Sequence, residues 1–272
     1  MAPRVLGGEG ISPLAIAMVR MTGAAAFFQI FTRATGLLAP TTWKDQRVLA
    51  ALSLAGITLN QALFLLGLRL TTPMTAALLS VTIPVIAAVL SVATRQERAS
   101  WRLGAGLGLS IAGVVWLTGV RRVDLGALVV LGNCVSYATY IVYSRETIRR
   151  LGTLTVITWL FTWGGVLFAP FGLPTLVASL PDLTQRGWLF LGYLVLVPTI
   201  IAYLCNAWAL GRSTATLVTI YIYVQPVMAA VLAWLRLGQS VSDRLLGAAA
   251  LIVVGVTIVA TRKDASSVPV EE

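Results

Sequence analysis

The sequence predicts an all-α polytopic membrane protein made of two inverted-topology halves. Of its 272 residues, 58% are hydrophobic and only 11% are charged, whereas a soluble domain carries roughly 25% charged residues. Nine apolar runs are long enough to cross a hydrocarbon core ~30 Å thick, for which about 20 residues of helix suffice. A stretch in the first half of the chain also recurs in the second half at a fixed offset of 142 residues.

The nine predicted spans are joined by short connections that contain Pro, Gly, Asp or Arg. The spans cover residues 12–33, 48–70, 72–94, 102–120, 124–144, 153–173, 187–209, 213–235 and 243–261. No connection has room for a soluble domain. The polar residues at 265–272 predict a disordered cytoplasmic tail.

The distribution of positive charge predicts the orientation. The connections that follow the first, third, fifth, seventh and ninth spans carry 12 of the 20 Lys and Arg residues. Because cytoplasmic loops are enriched in Lys and Arg, these connections and the C-terminus are expected to face the cytoplasm. Nine spans would then place the N-terminus outside, and one further helix before residue 1 would bring both termini inside.

The internal repeat aligns residues 72–119 with 214–261, with 13 identities in 48 positions. The copies lie five spans apart, and because five is odd they enter the membrane in opposite senses. Inverted repeats of this kind are typical of alternating-access transporters. We therefore divide the chain into a first half, 1–120, and a second half, 121–264.

Three prolines interrupt predicted spans. Pro84 and Pro226 occupy the same position of the two repeat copies, and Pro198 lies opposite Gly56 at the same offset. Each proline removes a backbone N–H from a helix. They could be kinks that serve packing alone, but a matched pair at mid-span favours helix breaks at a substrate site between the halves.

Four segments resemble the EamA-type permeases of the drug/metabolite transporter superfamily, and in particular its YddG-type amino-acid exporters. They are residues 11–26, 60–90, 95–117 and 202–235. The resemblance implies ten helices in two inverted halves with both termini cytoplasmic, so this chain is expected to begin after the family's first helix. It also implies a carrier in the bacterial inner membrane. Because members carry amino acids, sugars, nucleotide derivatives or drugs, the substrate stays open.

Polar and aromatic side chains inside the spans are the candidates for substrate binding. Gln225 directly precedes Pro226, whereas Ile83 precedes Pro84, so the two half-sites differ chemically. A helix–helix hydrogen bond is the alternative role for Gln225, and packing is the alternative for the tyrosines and for one of the two adjacent amides. The full set is Asn60, Gln61, Ile83, Tyr137, Tyr140, Tyr221 and Gln225.

Arg20 is the one charge well inside a predicted span, where an arginine costs about 2.5–3.5 kcal/mol. The spans offer it no acidic partner. It could meet a substrate carboxylate, backbone carbonyls, or Glu97 by extending toward the cytoplasm. Without an acid or a histidine to relay protons, facilitated diffusion and exchange are as well supported as proton antiport.

The absence of histidine argues against a membrane enzyme, which needs a nucleophile with its base or a set of metal ligands. Cys134 and Cys205 form no CxxC motif, and we interpret both as small core residues. We therefore expect no catalytic residue, no metal and no cofactor. The favoured function is export of small metabolites, with amino acids as the first class. The alternatives are another substrate class and a non-transporting scaffold or sensor.

The expected partners are a small-molecule substrate and the lipid bilayer. The net charge of +10 is explained by loops that flank the spans, so no nucleic acid is expected. A homodimer is a further expectation, because Gly104 and Gly108 form a G-x-x-x-G pair. That pair serves either packing inside the molecule or a dimer face.

Overall fold

The computed structural model describes residues 11–71, 76, 79–118, 125–225, 228 and 243–261, and these contain helices and no strand. The predicted break at Pro226 and the predicted tail lie outside the described residues. The helices are α1 (Pro13–Ala34), α2 (Trp43–Ser53), α3 (Asn60–Leu70), α4 (Thr82–Ala93), α5 (Trp101–Thr118), α6 (Leu125–Leu151), α7 (Thr153–Ser179), α8 (Gln185–Val195), α9 (Ala202–Arg212), α10 (Ala215–Ile220) and α11 (Asp243–Ala260). A π-helical turn, Leu54–Leu59, joins α2 to α3, and a second, Leu196–Ile201, joins α8 to α9.

Five helical segments among the described residues are long and apolar enough to cross a membrane, which confirms the prediction of an all-α polytopic membrane protein. These are α1, α6, α7 and the two composite helices Trp43–Leu70 and Gln185–Arg212. The first composite helix begins five residues before its predicted start. Its N-terminus is fixed by a capping box, in which Thr42 and Asp45 satisfy each other's backbone N–H, and an apolar run cannot reveal such a polar start.

The 142-residue repeat is reproduced in the bounds of four pairs of helical segments. Adding 142 to the residue numbers of α2 gives those of α8, and the same holds for the first and second π-helical turns, for α3 and α9, and for α5 and α11. Thr42 and Thr184, which are also related by the offset, both cap their helices through the side-chain oxygen. The structural repeat therefore includes 43–70 and 185–212, a region in which the sequence alone showed only the pairing of Gly56 with Pro198.

The described chain forms two compact units, and each unit combines elements of both halves. The described residues of unit 1 lie within Met1–Leu65 and Tyr143–Gly211, and those of unit 2 lie within Leu66–Val142 and Arg212–Glu272. In unit 1, α1 packs along α7 and against α8, while α7 also packs against α2 and the first π-helical turn. In unit 2, α5 packs along α11, and α4 packs against α10.

Glycines bring α5 and α11 into close backbone contact inside unit 2. A Cβ atom on Gly106 would lie 2.7 Å from the carbonyl oxygen of Gly255, and one on Gly113 would lie 2.9 Å from that of Ala248. Gly104 and Gly108 have open space at the corresponding position. Close packing at Gly104 and Gly108 is thus not found inside the described residues, because that pair lies on the other face of α5, and the alternative of a dimer face stays a prediction.

The two cysteines differ in environment. Cys134 is buried, as predicted, whereas Cys205 is exposed, so the core assignment of Cys205 is wrong. Ile201 and Trp208 lie one turn to either side of Cys205 and are also exposed. The apolar residues of this face are therefore turned outward, which hydrophobicity alone does not distinguish from a core face in a membrane helix.

We expect Gly106→Ala to destabilise the protein by about 1–3 kcal/mol, because the added methyl group meets backbone and cannot be accommodated by a side-chain rotation. Gly104→Ala is the matched control. It adds the same methyl group two residues away in open space, where alanine favours the helix by up to about 1 kcal/mol. Thermal unfolding of both variants in detergent tests this. Equal midpoints for the two variants would contradict the assigned contact face.

Candidate functional site

The π-helical turn Leu196–Ile201 leaves backbone carbonyls without their usual helical donors. Pro198 has no N–H to give to the carbonyl of Leu194, and the hydroxyl of Thr199 donates to that oxygen instead, at 2.8 Å. The N–H of Ala202 bonds to the carbonyls of Val197 and Thr199. The Pro198 carbonyl, which an α-helix would pair with the N–H of Ala202, is therefore open to a side-chain donor.

Arg20 of α1 supplies that donor. Its Nε donates to the Thr199 hydroxyl at 2.8 Å, and its Nη2 donates to the Pro198 carbonyl at 3.4 Å. The sequence offered three kinds of partner for Arg20, and the structure shows one of them, a backbone carbonyl. It also shows a hydroxyl partner, which was not predicted. The proline break and the embedded arginine form one interaction, since the break frees the acceptors that stabilise the charge.

The guanidinium group of Arg20 borders a small cavity inside unit 1. The cavity volume is about 10 Å³, which is close to the space that one water molecule needs. The lining residues are Ala17, Arg20, Met21, Ile57, Gln61, Phe161, Thr199 and Tyr203. Gln61 is thus the predicted site residue that the structure brings to Arg20.

Two pairs of cavity residues are related by the 142-residue repeat. Ile57 and Thr199 occupy equivalent positions in the two π-helical turns, and Gln61 and Tyr203 occupy equivalent positions just after them. The cavity therefore lies between the two repeat copies, where transporters place their substrate sites. Tyr203 was missed by sequence reasoning, although applying the repeat offset to Gln61 would have found it.

The other candidate residues differ in accessibility. Asn60, the first residue of α3, is half-buried. In unit 2, Ile83 is buried and Tyr140 is only 1% exposed. Tyr137 is half-buried, with its ring centroid 5.9 Å from that of Tyr140. Tyr221 and Gln225 are exposed.

The described prolines also differ in setting. Pro84 is buried in the first turn of α4, just after a turn at Val81. A proline is tolerated there, because the N–H groups of a first helical turn have no helical acceptor. Pro198 lies instead inside the second π-helical turn, where its missing N–H alters the hydrogen bonding of a continuing helix.

Two other charged side chains also find their partners inside a single unit. Glu97, considered as a partner of Arg20, accepts a hydrogen bond from the backbone N–H of Thr216 at 3.1 Å in unit 2. In unit 1, Arg150 at the end of α6 forms an ion pair with Asp45, which is buried at the start of α2. The ion pair of Arg150 with Asp45 thus links the end of α6 to the start of α2.

The chain is similar in sequence to known membrane transporters. The model of the EamA-like transporter family matches residues 4–119 and 124–261. The chain is 30% identical over 114 residues to the uncharacterized transporter YdfC of Bacillus subtilis, an alignment that covers 42% of this chain and 37% of that protein. It is 26% identical over 263 residues to a probable terminal-alkyne amino-acid exporter of Streptantibioticus cattleyicolor, covering 94% and 86% of the two chains.

A solved crystal structure has the same fold. It superimposes with a TM-score of 0.75 at 22% sequence identity and covers 92% of this chain and 87% of its own. At this level of identity the likeness concerns the fold alone.

We expect Thr199→Val to destabilise the protein by about 1–3 kcal/mol, because the hydroxyl links Arg20 to the Leu194 carbonyl and valine leaves both without that partner. Thr22→Val is the matched control, since the Thr22 hydroxyl is exposed and bonds the Met18 carbonyl of its own helix. Thermal unfolding in detergent separates the two. If both variants unfold at the wild-type midpoint, the Arg20–Thr199–Leu194 chain does not support the fold.

Proposed function

Because the chain belongs to the EamA-like transporter family and is a multi-pass membrane transporter, we propose that it exports small metabolites, with amino acids as the favoured class. The observation that carries this proposal is the cavity between the repeat copies in unit 1, which is lined by one cationic and three neutral polar side chains from spanning helices. The name of the Streptantibioticus relative, which aligns over nearly the whole chain, also favours amino acids.

We propose that transport proceeds by alternating access, with a bound substrate exposed to one side of the membrane at a time. Each compact unit contains packed helices from both sequence halves. A motion that separated the halves would pull α1 from α7 in unit 1 and α5 from α11 in unit 2. Alternating access would therefore require a rearrangement inside unit 1, where the cavity lies.

For substrate contact we propose the accessible members of the predicted set. Asn60 and Gln61 follow the first π-helical turn, and Tyr137, Tyr221 and Gln225 have accessible side chains in unit 2. Tyr140 and Ile83 are buried. Their role is to support this set, and the ring contact between Tyr140 and Tyr137 is the clearest case.

The experiment that tests the function is counterflow in liposomes. The purified chain is reconstituted, loaded with one unlabelled amino acid at high concentration, and supplied with the labelled form outside. A carrier gives a transient, saturable accumulation of label, whereas a scaffold gives none. A panel of amino acids, sugars and nucleotide derivatives identifies the class. Saturable counterflow of a sugar or nucleotide derivative without any amino acid would contradict the favoured substrate.

We expect Gln225→Ala to lower the rate of counterflow, because it removes a polar side chain from the proposed substrate path. The accessible position of Gln225 predicts little effect on stability, within about 0.5 kcal/mol. Gln185→Ala is the control: Gln185 is also exposed, but it starts α8. Unchanged counterflow kinetics in Gln225→Ala would remove Gln225 from the site.

We also propose that the protein lies in a bacterial inner membrane, which its family favours, and that its C-terminus is in the cytoplasm, which the charge of the connections favours. In right-side-out vesicles, a tag after Glu272 should resist added protease, and a tag inserted between Arg121 and Arg122 should be cleaved. Cleavage of the C-terminal tag in sealed vesicles would reverse the orientation.

A further inference from the structure

The cavity beside Arg20 collects hydrogen-bond donors that have no partner in the described part of the chain. A guanidinium group carries five N–H donors, and Arg20 uses two of them, one on Thr199 and one on Pro198. Three therefore remain. The amide of Gln61 and the hydroxyl of Tyr203 also border the cavity, and neither bonds to another described residue.

The cavity also holds an uncompensated positive charge. No acidic residue is among the residues that line it, and the ion pair recorded in the described part of the chain joins Arg150 to Asp45. Apolar neighbours such as Met21, Ile57 and Phe161 form much of the wall. A cation in such a setting is stabilised most by an anion that accepts charge-assisted hydrogen bonds.

We propose that this cavity is an anion-binding subsite, in which Arg20, Gln61 and Tyr203 donate hydrogen bonds to a monovalent anionic group. The group is either the carboxylate of the transported metabolite or a free halide. The carboxylate case rests on the proposed export of amino acids, and the halide case does not.

The size of the cavity bears on how each anion would enter. A volume of about 10 Å³ suits a group the size of one water molecule, so a halide needs little rearrangement. A carboxylate attached to the rest of an amino acid needs more room. Ile57 and Thr199 line the cavity from the two π-helical turns, so a change in the hydrogen bonding of either turn would move a wall of the site. π-Helical turns are frequent at functional sites.

The repeat explains why this site accepts one end of an asymmetric ligand. Gln61 and Tyr203 occupy equivalent positions after the two turns, but one is an amide and the other a phenol. Thr162 is the repeat counterpart of Arg20, and its hydroxyl accepts a hydrogen bond from Gln29 at 2.8 Å. The positive charge therefore lies on one side of the repeat only.

The first arm of the test is counterflow with a carboxylate substrate, using Tyr203→Phe and Gln61→Leu. Arg20 is left intact because it also holds the second π-helical turn. Loss of a hydrogen bond to a charged group is expected to raise KM roughly tenfold. The amine analogue that lacks the carboxylate should be insensitive to both variants. Tyr193→Phe, which removes a hydroxyl from an exposed residue of α8, should behave as wild type.

The second arm measures anion binding without transport. Thermal unfolding of the purified protein is followed in chloride, acetate and the bulkier methanesulfonate at equal ionic strength. Binding to the folded state raises the midpoint, and we expect chloride or acetate to do so in the wild type and in Tyr193→Phe, but not in Tyr203→Phe.

The outcomes separate the two sources of the anion and the two proposals. A KM effect with an acetate shift identifies the substrate carboxylate, and a chloride shift without a KM effect identifies a free halide. Wild-type midpoints that do not depend on the anion, together with unchanged KM values in Tyr203→Phe and Gln61→Leu, would overturn the subsite while leaving the carrier intact. If the wild type shows no counterflow, the proposed function fails and the second arm alone decides the subsite.

Discussion

The structure of unit 1 depends on one constraint: a backbone carbonyl released inside a membrane has no water to bond to. Pro198 removes the helical donor of the Leu194 carbonyl, and the hydroxyl of Thr199 donates to that oxygen instead. The guanidinium of Arg20 donates to the Pro198 carbonyl itself. The same bonds stabilise a charge that would otherwise be costly inside a span. They also hold α1 against the second π-helical turn and so define the wall of the cavity.

The two repeat copies share a backbone conformation but carry different side chains. A π-helical turn of the same bounds forms around Gly56 in one copy and around Pro198 in the other. Because glycine keeps its N–H and proline does not, the repeated turn does not depend on proline alone. Only the second copy receives an arginine. An inverted scaffold therefore presents unequal side chains to a shared cavity, as recognition of an asymmetric metabolite requires.

The sequence predicted the parts of the fold that depend on length and periodicity. The apolar runs located the five long spans among the described residues. The offset paired Gly56 with Pro198, but it did not predict that either residue lies in a π-helical turn. Rotational phase was not predictable, because α5 is apolar on several faces and Gly106 could not be distinguished from Gly104 as the contact residue. Nor were the acceptors of Arg20, which lie 178 and 179 residues away in sequence. Tyr203 lacked a local signal, since an aromatic residue in a span is most often packing.

The hydrogen bonds around Arg20 also indicate how an anion at the proposed subsite would act on the backbone. The bond from Arg20 to the Pro198 carbonyl is 3.4 Å long, beyond the usual range of about 2.7–3.2 Å, whereas that to Thr199 is 2.8 Å. An anion that competes for guanidinium donors would therefore take the one on Pro198 first. The released carbonyl then needs another donor, and its partner in an ordinary α-helix is the N–H of Ala202. Anion binding would thus favour α-helical over π-helical hydrogen bonding at this turn. A ligand shifts a conformational equilibrium only through such a difference in interaction between two states, and here the difference lies in one carbonyl.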